Sequence, residues 1–234
     1  MYRYVKQVQV EQFGKEGQLK LSKARIGIIG CGGLGTQQAE TLVRMGAGFL
    51  RIADYDVVEE TNLHRQHLFE NADLGETKVI AARNRLRRIN PDCKLDPVSR
   101  EVHDIEGFAE DLDLILDATD DVPTRFEIND YCIAAGLPFV YGGVAGTEGL
   151  VLPHTPGGAC LRCLCPEPPK VVRTCANRGI FPPLVTQTAS VQVVQAIRIL
   201  LGESVANTLI RIDAWSSSVR SVELMPREGC GCHG

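Results

Sequence analysis

The sequence predicts an α/β fold, a doubly wound and mainly parallel sheet with a C-terminal antiparallel extension. Three observations point to it. The apolar run Arg25-Ile26-Gly27-Ile28-Ile29 feeds straight into Gly30-Cys31-Gly32-Gly33-Leu34-Gly35, as a buried strand feeds a tight turn. Strand-like and helix-like stretches then alternate as far as Gly146, the rhythm of a parallel sheet whose sites lie at the strands' carboxyl ends. Beyond it the rhythm gives way to a cysteine cluster, a Pro-rich connection, one long helix and two strands.

In chain order, residues 1–24 are polar and lightly patterned and read as an arm, with Gln12 to Leu21 resembling a short helix interrupted at Gly14 and Gly17. After the glycine turn, Ala39, Leu42, Val43 and Gly46 stand at helical spacing. Strand, turn and helix N-terminus form an amide-rich, Rossmann-like cradle for nucleotide phosphate. The same pattern fits an ordinary tight turn or a dinucleotide site, so it fixes the fold better than the ligand. Phe49 to Asp54 is a second strand ending in an acid, close to the spacing of about 20 residues expected for a ribose-binding carboxylate; the alternative for Asp54 is a loop cap. Asp56 to Asn71 is a polar loop carrying Asn62, His64, Arg65, Gln66 and His67, too long and too charged for a simple connector.

A helix is expected from about Thr77 to Asn90, with Val79, Ala82, Leu86 and Ile89 inward and Arg83, Arg85, Arg87 and Arg88 mostly outward. Lys78 lies in its first turn, where a cation opposes the helix dipole and calls for an anionic partner; for Lys78 and Arg65 the bland alternative is a surface ion pair with Glu70 or Glu76. Leu112 to Ala118 reads as a buried strand ending at Thr119-Asp120-Asp121. A helix carrying Pro123 in its first turn runs through Phe126 to Ala135. Phe139 to Gly142 is a further strand, followed by a glycine-rich stretch. Positions 185, 189, 193, 197 and 201 are apolar, one face of a long helix with Gly202 as its C-cap. The final strands are expected near Thr208 to Ala214 and Val219 to Leu224.

Composition narrows the function classes. The chain has 234 residues, 44% hydrophobic and 23% charged, enough for one sizeable α/β domain but too short for a dehydrogenase with a full second substrate domain. The single domain, 1–234, divides into the arm 1–24, a nucleotide-binding core 25–150, and 151–234 with the crossover loop, long helix and C-terminal strands. A net charge of -4 gives no broad footprint for nucleic acid or an acidic membrane. No secretory h-region opens the chain, and no apolar stretch is read as approaching the roughly 20 residues of a membrane span, so the expected location is cytoplasmic. Nine cysteines in a reducing compartment suit metal ligation, reactive thiols or core packing better than a disulfide framework.

The ordered motifs resemble the ThiF/MoeB/HesA family, bacterial relatives of ubiquitin-activating enzymes that adenylate small ubiquitin-like sulfur carriers. They are Arg3-Tyr4-x-x-Gln7, the G-x-G-G-L-G turn, Asp54-x-Asp56, Asn62-Leu63-x-Arg65-Gln66, Gly75-x-x-Lys78, Asn90-Pro91, Asp117-x-Thr119-Asp120, Thr124-Arg125, Cys160-x-x-Cys163 with Pro166-Glu167, and Thr174-Cys175. The resemblance implies MgATP rather than a dinucleotide. It puts Asp54 on the ribose with Asp56 beside it, Gly30, Gly32, Gly33 and Gly35 in the cradle, Asn62, Arg65, Gln66 and Lys78 around the phosphates, and Asp120 on Mg²⁺. Arg65, Lys78 and Asp120 then carry the reaction, and cations on developing phosphate charge with a hard carboxylate for magnesium suit attack on the α-phosphorus. The implied partners are a carrier ending in Gly-Gly, a second copy of the chain, and a sulfur donor such as a cysteine desulfurase.

Two positions depart from the family pattern. Lys6 stands where an arginine reaches the partner subunit's nucleotide, keeping charge but losing the bidentate fork. Asp121 replaces an asparagine, adding charge beside the triphosphate or capping the Pro123 helix. Two readings from other classes compete with the adenylyltransferase, a dinucleotide-dependent oxidoreductase and a non-catalytic zinc-containing scaffold; within the enzyme class a tRNA-modifying dehydratase relative is disfavoured by the zinc clusters and the length.

The cysteines sort by spacing. Cys160-x-x-Cys163 makes a zinc half-site, because two thiolates across a tight turn can point at one tetrahedral ion. The other half is expected from the tail, where the family's second C-x-x-C is replaced by Cys230-x-Cys232 followed by His233; the ligands are four thiolates, with Cys230 and Cys232 favoured, or three thiolates and an imidazole. Such a site clips the last strands onto the domain. Cys31, Cys93 and Cys132 read as packing, and Cys165 is ambiguous. Cys175 is either an inert loop thiol or, as in part of the family, the acceptor of an activated acyl group or sulfur.

Overall fold

The computed structural model describes residues 2–102, 104–168, 179–205, 207–230 and 232. Its strands are β1 (Arg25–Ile29), β2 (Phe49–Ala53), β3 (Lys94–Val98), β4 (Leu114–Asp117), β5 (Phe139–Ala145), β6 (Glu148–His154), β7 (Thr208–Asp213) and β8 (Ser218–Glu223). Its helices are α1 (Gly14–Lys23), α2 (Gly33–Met45), α3 (Lys78–Ile89), α4 (Ile105–Ala109), α5 (Val122–Ala135), α6 (Leu161–Leu164) and α7 (Pro182–Leu201). One sheet runs β3-β2-β1-β4-β5-β6-β7-β8. The first five strands of that order are parallel, and β6, β7 and β8 add antiparallel. Strand order reverses between β1 and β4, which opens a crevice at their carboxyl ends.

Two apolar layers cover the sheet. Ile26, Ile28, Leu50, Leu114 and Leu116 pack with Leu42, Leu86 and Ala189 on one face, and Ile115, Phe139 and Leu152 with Phe108, Phe126 and Ile128 on the other. Strands buried on both faces explain the continuous apolar runs from which β1 and β4 were legible.

The structure corrects several expectations. The helix near Gln12 is not broken: α1 starts at Gly14, runs through Gly17 and buries Leu21. Gly17 is tolerated because Phe13 lies where its Cβ would be. β3 went unread because Pro97 and Asp96 interrupt its pattern; as the sheet's edge it accommodates a proline. β5 does not stop at Gly142 but continues to Ala145 and pairs with the unread β6. Its glycines are close-approach residues, since a Cβ on Gly142 would collide with the Gln192 side chain of α7, whose amide donates to Asp117 O at 2.8 Å and Val140 O at 3.2 Å.

The long helix also corrects the membrane reading. α7 spans 20 residues with a mean hydropathy of 1.3, long and apolar enough to cross a bilayer by length and composition. In this fold it is a core helix, burying Leu184, Val185, Ala189 and Val193 against the sheet and α2. Gly202 closes it in the left-handed conformation at φ 86°, as expected.

Candidate active site

A cleft of about 270 Å³ opens at the carboxyl ends of β1, β2 and β4. Gly30 forms its floor with φ +99°, and a Cβ there would strike the backbone of Ala118 and Thr119. A Cβ on Gly35 would strike Gly30 O, so the first turn of α2 can sit on the end of β1 only with glycine at that position. Gly32 is the N-cap of α2 and offers no side-chain cap; the helix N-terminus therefore presents amides to the cleft, the arrangement that receives phosphate.

Asp54, at the end of β2, accepts Cys31 N at 2.6 Å and Asp56 N at 2.9 Å. Each carboxylate oxygen keeps a further acceptor site free for a ligand hydroxyl. Burial raises its pKa above the usual carboxylate range, although Lys78 and the two backbone N–H groups oppose the shift. Lys78 is only 6% exposed. Its Nζ lies 2.6 Å from Asp56 Oδ2 and 4.0 Å from Asp54 Oδ1, so the anionic partner expected for this lysine lies inside the cleft. Glu70, one of the two glutamates offered as a surface partner for Lys78, pairs with Arg85 at 2.6 Å.

The loop after β2 folds back over the cleft, anchored by buried Leu68 and Phe69. Asn62 caps it by accepting Glu59 N at 3.1 Å. Arg65 lines the opening and donates from Nη1 to Thr61 O at 2.8 Å. Gln66 is buried against the glycine turn, and its Oε1 has no partner among the described residues. A buried polar atom of this kind in a wet cleft fits a bound polar group.

From the other side come Asp120 and Asp121, both lining the cleft. Asp121 caps α5, accepting Thr124 N at 2.9 Å and Thr124 Oγ1 at 2.6 Å. Its carboxylate therefore performs the helix-capping role allowed for it, and Asp120 is left facing the cleft. The sequence reading gave no role to Asp117 and Arg125, which appeared only as motif positions. Asp117 is 1% exposed and accepts Thr119 N at 3.1 Å. The Arg125 guanidinium donates to Thr119 O at 3.1 Å and 2.5 Å and lies 3.9 Å from Asp117. Both backbone groups of the residue preceding Asp120 are thus held. Burial pushes Asp117 up to about 7 against the pull of Arg125. The strand-end acid and an arginine eight positions on were the available signal. Lys6 is exposed on the N-terminal arm and does not line this chain's cleft.

The thiols assemble away from the cleft. Cys160 Sγ lies 3.7 Å from Cys163 Sγ and 3.8 Å from Cys230 Sγ, and Cys160, Cys230 and Cys232 offer sulfurs within 4.8 Å of one another. With Zn–S bonds of about 2.3 Å, the edge of a tetrahedral tetrathiolate is about 3.8 Å, so the donor set fits zinc. Cys31, Cys93 and Cys132 are buried packing residues. Cys175 and His233 fall outside the described residues.

Residues 4–233 match the model of the ThiF family. The chain is 40% identical over 230 residues to a sulfur carrier protein ThiS adenylyltransferase from Bacillus subtilis, covering 95% of this chain and 68% of that one. It is 35% identical over 236 residues to the Escherichia coli molybdopterin-synthase adenylyltransferase, covering 98% and 95%. Among solved structures, E. coli MccB with ATP superposes with a TM-score of 0.84 at 23% identity, over 99% of this chain and 74% of that one, a likeness of fold. These relatives do not favour the oxidoreductase reading. With its family model matched over nearly its whole length, the chain belongs to the ThiF family.

Proposed function

We propose that this protein is an ATP-dependent adenylyltransferase that activates the C-terminal glycine carboxylate of a small ubiquitin-like sulfur carrier. The carrier carboxylate attacks the α-phosphorus, the bond from that phosphorus to the β-phosphate oxygen breaks, and pyrophosphate leaves with the electron pair. The observation that carries this reading is the convergence of Lys78, Arg65 and Asp120 on one glycine-floored cleft. Lys78 is buried and already paired to carboxylates, so its charge is held ready for phosphate oxygens without reorganisation. Arg65 adds a planar donor at the opening. Asp54 receives the ribose hydroxyls, and Gln66 completes the polar lining. Asp120 would hold Mg²⁺, which supplies charge neutralisation at the phosphates. No group in the cleft has to shuttle a proton, because the attacking carboxylate is already ionised.

The thiol cluster belongs to the same reading as a structural zinc site that ties the tail to the domain. In a homodimer Lys6 would reach the partner's cleft. Cys175 acts after adenylation: its thiolate attacks the acyl carbon, AMP leaves, and a thioester forms that a sulfur donor such as a cysteine desulfurase can use. Support comes from Ile180, which pairs with Gly146 and lines the cleft shortly after Cys175 in the chain. The reaction is placed in the cytoplasm, where such thiols stay reduced.

Pyrophosphate exchange into ATP tests the proposal. Exchange should appear only with a carrier ending in Gly-Gly and vanish when that terminus is truncated. Carrier-independent exchange, or none with any such carrier, would count against it.

A further inference from the structure

Asn129 lies on α5, is fully buried, and touches both halves of the thiol cluster. Its Oδ1 accepts Leu161 N at 2.8 Å, the amide beside Cys160 at the start of α6. Its Nδ2 donates to Cys232 Sγ at 3.7 Å and to Asp130 Oδ1 at 2.9 Å. Asp130 is locked in turn by two bonds from Arg162 of α6, both at 2.6 Å. A buried amide on a helix costs desolvation unless both ends are used, and here one end meets the Cys160-x-x-Cys163 half and the other the tail half.

We propose that Asn129 is the positioning residue of the metal centre, the side chain that, with Asp130 beside it, aligns Cys232 with the other thiols and makes it the fourth ligand in preference to His233. This rests on the zinc reading of the thiol cluster. The donor end is what matters for the metal: an N–H that meets the sulfur fixes where the Cys232 side chain sits beside the other three sulfurs, as outer-sphere partners orient ligands in metal sites generally. The acceptor end holds α6 at the distance that brings Cys160 and Cys163 into range. Arg162 and Asp130 brace the arrangement from the solvent side, so that Cys230 and Cys232 meet a preformed half-site.

The test is metal release from the purified full chain into a chromogenic chelator at pH 8, with Co²⁺-substituted protein to read the ligand set. Asn129→Asp keeps the acceptor for Leu161 but replaces the donor with oxygen, and Asn129→Leu removes both. Each should release zinc about tenfold faster or more, and the Co²⁺ thiolate charge-transfer band of Asn129→Asp should weaken as Cys232 loses its place, while circular dichroism stays that of wild type. Cys232→Ser should reproduce the weakened band, and His233→Ala should leave it intact. Wild-type release and band in both Asn129 variants would overturn the role of Asn129 alone. A wild-type protein that takes up neither Zn²⁺ nor Co²⁺ would overturn the zinc reading with it.

Discussion

The cleft and the thiol cluster are two places where the described residues gather chemistry, and they are built in opposite ways. The cleft is assembled from the ends of strands. Asp54 follows β2, Asp117 ends β4 and the glycine turn follows β1, and the two carboxylates are fixed by backbone hydrogen bonds from the neighbouring strand-end turn or from two residues on. The cluster is assembled from a four-residue helix and a tail, and its sulfurs meet one another, Asn129, Asp130 and the Arg227 amide. Parallel-sheet topology already places the first; the second lacks such a frame and is held by side chains from α5 and α6 and, in the proposed reading, by a metal. A loss of charge in the cleft should therefore abolish activity and spare the fold, whereas a loss of a thiol should do the reverse.

The largest effect is expected in the cleft. Asp120→Ala and Lys78→Ala should each lower carrier-dependent pyrophosphate exchange by about a hundredfold or more, the usual consequence of deleting one electrostatic contact to a transition state. Arg65→Ala should follow them. Circular dichroism should report a folded protein, and near-wild-type exchange by Asp120→Ala would remove the magnesium assignment.

In the cluster, Cys163→Ser should cut bound zinc from about one per chain to a small fraction and lower the melting temperature, because metal affinity here is folding free energy. Elemental analysis with calorimetry reads both. Unchanged zinc in that variant and in Cys230→Ser would show that the thiols do not form one site.

A smaller effect separates the two regions by pH. Asp117 titrates near 7 in the fold and near 3.9 when unfolded. The folded state therefore binds more protons between these values, and this residue's contribution to stability is full below about 4 and declines as pH rises to about 7. Asp117→Asn should remove that decline, seen in urea midpoints for the two proteins across this range. Parallel pH profiles would mean that the carboxyl stays ionised beside Arg125.

The smallest expected change is in exchange by Cys175→Ala, which should match wild type while losing any reductant-sensitive conjugate with the carrier. A folded Cys175→Ala protein without exchange would place the thiol in adenylation itself.

What was legible in the sequence follows the same division. β1, β2, β4 and the helices α2, α3 and α7 carry their burial in their patterns, and the strand-end acids announced the crevice. β3 and β6 were hidden because an edge strand tolerates Pro97, and because the glycines of β5 resemble a loop when Gly142 is room for Gln192 and Gly143 for the Tyr141 hydroxyl. Within the cleft, Lys78 was read correctly as a cation in need of an anion, yet its partner Asp56 depends on a turn that spacing does not reveal. Asp117 and Arg125 act on the backbone of Thr119 rather than on a ligand, so no ligand argument could single them out. Asn129 was invisible for a similar reason, since one asparagine on an apolar helix declares nothing until α6 and the tail arrive beside it.

The central claim is that a carboxylate oxygen of the carrier becomes bonded to the α-phosphorus of ATP in this cleft. Oxygen-18 in the carrier's terminal carboxylate tests it most directly, with the AMP released after transfer of the acyl group to a thiol analysed by mass spectrometry. The account predicts one labelled oxygen in AMP, and none with Lys78→Ala because no AMP forms. Unlabelled AMP from the wild-type protein, with the label retained in the carrier, would contradict it.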